Sequence, residues 1–168
     1  MYYSSFQPVS SRDIAKMLNL VIEVVRFEAI TELTFDYLNV IAPTKEDSRF
    51  LRIMLEDERE HFDELKKVYF TLTGQHPGGD PPTFEVPESF LKGIHDLFFQ
   101  KLDIIAIYKK IKKLSPYVEL QNKADTFIHD ELKHLSILNY ILINQNRRDE
   151  TIYQYRELPF QYSSPYSQ

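Results

Sequence analysis

A chain of 168 residues, 43% hydrophobic and 27% charged, is long enough to bury one core without covalent staples and has the composition of a globular fold. Its net charge of −5 offers no electrostatic footprint for nucleic acid, and no apolar run reaches the roughly 18 residues of a membrane span. The lack of cysteine excludes disulfides, thiol redox chemistry and thiolate-held zinc or iron–sulfur centres, so any metal must be held by carboxylate and imidazole.

Residues 1–10 read as an N-terminal arm. They are aromatic and polar, with no basic segment ahead of an apolar one, so they do not resemble a secretory signal and a cytoplasmic location is expected. From Ser11 to Ile41 the periodicity of Val21, Val25, Phe35 and Leu38, uninterrupted by Gly or Pro, predicts one long helix. Pro43 and Thr44 break and recap the chain, and a second helix follows through Leu51, Met54, Leu55, Phe62, Leu65 and Tyr69 to Gly74. Residues 74–88 form a Gly- and Pro-rich linker. In an extended path it could cover about 40 Å at roughly 3.1 Å per residue, the length of a helix of about 27 residues. A third helix is expected from Ser89 to Leu114, its end marked by Lys109, Lys110, Lys112 and Lys113, where cations suit the helix dipole. A fourth is expected from Ser115 and Pro116 to Asn144. Short links make each pair an antiparallel hairpin, and the linker is long enough to cross between the ends of the bundle. The prediction is an all-α four-helix bundle over residues 11–146, with no strand. Residues 147–168 read as a Tyr/Gln/Ser/Pro-rich tail without helical periodicity.

Two stretches carry the chemistry: "DEREH" from Asp57 and "DELKH" from Asp130. Glu58 and His61 interrupt a stripe made by Leu51, Met54, Leu55, Phe62 and Leu65, and Glu131 and His134 interrupt one made by Ala124, Phe127, Ile128, Leu135 and Leu138. Residues three apart share a helix face, so each Glu and His can reach one ion from adjacent turns. A carboxylate buried without compensation costs several kcal/mol, and two such pairs point to a shared metal site. Mirroring Glu58 about the first turn leads to Glu28, with Glu32 one turn on as the reserve. Mirroring Glu131 about the second turn leads to Gln100, a neutral and weaker donor, with Asp103 or Asp96 as alternatives. His76, His95 and His129 fall in the linker or at packing and surface positions. No Ser/His/Asp order, phosphate-binding glycine loop or zinc-protease motif is present.

Two hairpins, each with Glu-x-x-His on its second helix, resemble the ferritin-like di-iron or di-manganese carboxylate proteins. The single bundle with a doubled motif looks most like the rubrerythrin-type branch, with manganese catalases as relatives, over Ile14 to Asn144. The resemblance implies two iron or manganese ions, with Glu58 and Glu131 bridging, His61 and His134 as terminal ligands and Glu28 as a further carboxylate. Gln100 departs from the pattern. It also implies redox chemistry on dioxygen, peroxide or ferrous iron; a homodimer or larger homo-oligomer is expected, and charge and hydropathy speak against membrane or nucleic-acid partners. Tyr37 and Tyr108 fall where such proteins place tyrosines near metal, or are core residues. The Tyr- and Gln-rich ends resemble bacterial spore-coat proteins, which implies an alternative: a structural or assembly component of the coat, bound to other coat proteins, with a degenerate metal site.

Overall fold

Each arm of the bundle repeats buried positions at alternating steps of four and three residues, merged into one step of seven between Val24 and Thr31, where Glu28 is half-buried. The sets are Met17, Val21, Val24, Thr31, Phe35 and Leu38; Asp47, Leu51, Met54, Glu58, His61 and Leu65; Phe90, Ile94, Leu97, Lys101, Ile104, Tyr108 and Ile111; and Leu120, Ala124, Phe127, Glu131, His134, Leu138, Ile141 and Gln145. Such spacing keeps one seam of each helix turned toward its neighbours. A computed structural model describes residues 10–156, with side chains from 10 to 148, and shows this seam closed into an all-α bundle with no strand among the described residues. The arm up to residue 9 and the tail from residue 157 lie outside the described residues.

The first arm comprises α1 (Ser11–Val25) and α2 (Glu28–Val40); α3 spans Lys45–Thr73, α4 Phe90–Leu114 and α5 Val118–Arg156. The single first helix expected from the sequence is thus broken at Arg26 and Phe27. Both keep right-handed helical angles, but the Phe27 N–H bonds the Val24 carbonyl, a tightened three-residue turn. Thr44 and Ser89 cap α3 and α4, their hydroxyls accepting the Asp47 and Lys92 N–H groups, and Gly74 ends α3 at φ 72°, a conformation that favours glycine. The fourth helix begins at Val118, after the expected Ser115–Pro116 cap, and runs past its expected end near Asn144 to Arg156.

The first arm packs beside α3 and α4, and α5 packs beside the same two, so α3 and α4 face each other across the centre. One apolar cluster joins Met17, Val21, Val24, Phe62, Leu65, Tyr108, Ile111 and Leu120; the other joins Phe35, Leu38, Leu51, Met54, Ile94, Leu97, Leu138 and Ile141. α3 therefore ends where α1 begins, and α4 starts at the opposite end, so the linker crosses the length of the bundle. On its way the Asp80 carbonyl accepts two bonds from the Arg26 guanidinium, at 3.0 and 3.1 Å, and Gly79 (φ 133°) lies against that side chain. Each buried Leu or Phe contributes about 1.5–3 kcal/mol. Between the two clusters the seam is polar.

Candidate metal centre

The polar layer is built by α3, α4 and α5. Glu58, His61, Glu131, His134 and Lys101 are each at most 3% exposed, so the two Glu-x-x-His pairs lie in the interior. One ligand atom from each of Glu58, His61 and Glu131 lies within 4.8 Å of the others, a group that could hold a metal ion.

The two histidines exchange partners between motifs. His61 Nε2 lies 3.2 Å from Asp130 Oδ2, and His134 Nε2 lies 3.0 Å from Asp57 Oδ2, so each ring is held by the aspartate of the other motif. An ionised carboxylate only accepts, which assigns the Nε2 proton to both rings and turns both Nδ1 atoms inward. A histidine so braced presents Nδ1 as a ligand atom when neutral.

Inside, His61 Nδ1 lies 3.8 Å from Glu131 Oε1, while His134 Nδ1 lies 3.4 Å from Glu131 Oε2 and 3.3 Å from Glu58 Oε1. These are charge contacts: both Nδ1 atoms and both Glu131 oxygens are buried without an aligned hydrogen-bond partner. Lys101 enters from α4. Its ammonium hydrogen-bonds Glu58 Oε1, lies 3.1 Å from Glu131 Oε2, and sits 5.7 Å from the Phe35 ring centre. The Phe127 ring, 4.3 Å away, and Tyr108 pack on His61.

The electrostatics follow. Burial opposes the His134 cation, but Glu131 and Glu58 outweigh burial and the repulsion from Lys101, raising its pKa to about 9. His61 is raised in the same way, burial being overcome by Glu131 and Glu58. Burial would raise Glu131, yet Lys101, His134 and His61 hold its carboxyl well below the usual range. Lys101 is raised because Glu58 and Glu131 overcome the cost of burying it. Burial, reinforced by the charges of Glu131 and Glu58, pushes the Tyr108 phenol well above its ordinary value, so it stays protonated.

The other expected residues are outside this donor group, with Tyr108 packed against its His61 ring. Glu28 is half-buried and ion-paired with Lys66 at 2.8 Å, and Glu32 pairs with Arg59 at 2.6 Å. Gln100, Asp96 and Asp103 line an outer cleft with Phe27 and Phe99, and Asp96 also pairs with Lys92. Tyr37 packs against the apolar cluster containing Phe35, and Tyr108 lies in the cluster beside His61. Sequence reasoning passed over Lys101 although the spacing Leu97, Lys101, Ile104 marks it as a seam position, and gave no role to Asp57 or Asp130 although both stand in the quoted motifs.

No protein-family model, curated protein or solved structure matches the chain. Its chemistry rests on these residues.

Proposed function

We propose that the protein binds iron or manganese at Glu58, His61 and Glu131, and acts as a ferritin-like carboxylate–metal protein on dioxygen, peroxide or ferrous iron. The observation that carries this reading is the set of buried, inward-turned atoms without aligned partners: His61 Nδ1, His134 Nδ1 and both oxygens of Glu131. Oxygen and imidazole donors without thiolate suit these metals, which when bound supply a change of oxidation state. The chain supplies the rest. Asp57 and Asp130 keep the Nε2 protons in place, Lys101 offsets carboxylate charge, and the apolar clusters on either side restrict water.

The test is calorimetric titration of Mn²⁺ into metal-free protein and into Glu131→Gln and His61→Ala. We expect saturable binding by the native chain and its loss in both variants, with helical content unchanged. Undiminished binding in both variants would place the metal elsewhere.

A second reading is a structural or assembly protein, such as a spore-coat component, formed from several copies. It is favoured by Lys101, which compensates the two buried glutamates without any metal. It predicts that replacing both Glu-x-x-His pairs leaves assembly intact, and that removing residues 157–168 abolishes it.

A further inference from the structure

The two faces of Glu131 are not equivalent. Oε1 turns toward His61, and Oε2 turns toward His134. Glu58 Oε1 also lies on the His134 side. The inner layer thus has two groups of donor atoms, one headed by each histidine, and both glutamates serve both, since Glu58 faces His134 and also belongs to the group with His61 and Glu131. The His61 side holds no other cation among the described residues and forms the group that could hold a metal. On the His134 side the same two oxygens that face His134 Nδ1 are those contacted by the Lys101 ammonium.

We infer that Lys101 takes the place of the ion on the His134 side, so that the centre accepts one divalent ion per chain where its two-fold arrangement of motifs would accept two. The inference rests on the metal-binding reading above and adds the ion count and the residue that sets it. Three observations support it. Lys101 is 2% exposed and lies on the α4 seam, so its ammonium cannot leave for solvent without unpacking the bundle. Among the described residues the carboxylates that meet in this inner layer are Glu58 and Glu131, since buried Asp47 lies away from it near the start of α3, beside Gln145, and Glu28 is engaged by Lys66. On the first arm the buried residue between Val24 and Phe35 is the uncharged Thr31, while Glu28, the seam step before it, is half-buried and held by Lys66. Glu58, Glu131 and Lys101 together carry one negative charge, so one divalent ion brings the layer to +1 and a second would bring it to +3 unless the lysine were exchanged for a negative side chain.

The experiment compares bound metal per chain for the native protein and Lys101→Glu, each loaded anaerobically with Mn²⁺, desalted and measured by elemental mass spectrometry. We expect about one ion in the native chain and about two in Lys101→Glu, where both motifs again have a cation to bind. One ion in both proteins would overturn the role of Lys101 and leave the metal reading standing. Two ions in the native chain would overturn it as well. None in the native chain with ions in Lys101→Glu would support the lysine as the cation in place while refuting metal binding by the native protein. None in either would refute both. Should Lys101→Glu not fold, Lys101→Gln supplies the second arm: Mn²⁺ should bind at least tenfold more tightly than to the native chain, and equal or weaker binding would overturn the inference.

Discussion

Asp57 and Asp130 show how much one side chain decides in this layer: each fixes the ring of the histidine on the other motif, and so turns both Nδ1 atoms toward Glu131. Lys101 decides the charge. Ions in a two-metal site lie about 3.5–4 Å apart, where two divalent charges at an effective dielectric near 20 repel by roughly 17 kcal/mol, against roughly 8 for a divalent ion and an ammonium. With Glu58 and Glu131 as the carboxylates of the inner layer among the described residues, the proposed single ion meets the smaller repulsion. The metal-free state has its own signature. His134 titrates near 9, above the 6.5 of an unperturbed imidazole, so its stabilisation is complete below pH 6.5 and is lost as pH rises through 9. That span corresponds to about 3 kcal/mol. The urea midpoint of metal-free protein should therefore fall between pH 6.5 and 9.5, and should fall less in His134→Gln; a flat profile in the native chain contradicts the charged pairing. Glu58, His61, Glu131 and His134 were legible as polar interruptions of apolar stripes. Lys101 was not, because a search for a carboxylate mirrored about the turn led one residue away, to Gln100.

At the scale of elements, caps and glycines read well and continuity read poorly. Thr44, Gly74 and Ser89 act as their residue types require. The break at Arg26 and Phe27 carries no Gly or Pro to announce it. The extension of α5 was hidden by composition: apolar periodicity fades after Asn144, yet no Gly or Pro occurs before Arg156 to end the helix. Gly93 marks the close approach of α2 and α4, since a Cβ there would lie 2.4 Å from a Leu38 methyl and 3.2 Å from Pro87 Cβ. Leu38 is fully buried and has little space into which to move. Gly93→Ala should accordingly destabilise by about 1–3 kcal/mol through overpacking, reduced by up to about 1 kcal/mol of helix propensity. A denaturation midpoint equal to or above the native value would show that the helices part without loss.

For the whole molecule, the crossing linker places the two motif-bearing helices side by side and brings α4 opposite α3. Lys101 can therefore reach Glu58 across the bundle centre. The four helices, their hairpins and the crossing were legible because periodicity and linker length are properties of whole segments. The content of the polar layer depends on which seam residue of each helix arrives at mid-height, which only the packed bundle decides. No helix among the described residues is long and apolar enough to cross a membrane. The most direct measurement of metal binding by the polar layer is the iron and manganese content per chain of the purified, folded protein, by elemental mass spectrometry, after anaerobic reconstitution and removal of loose metal. We expect close to one ion per chain; a value near zero, with the helical fold intact, would show that the polar layer is not a metal centre.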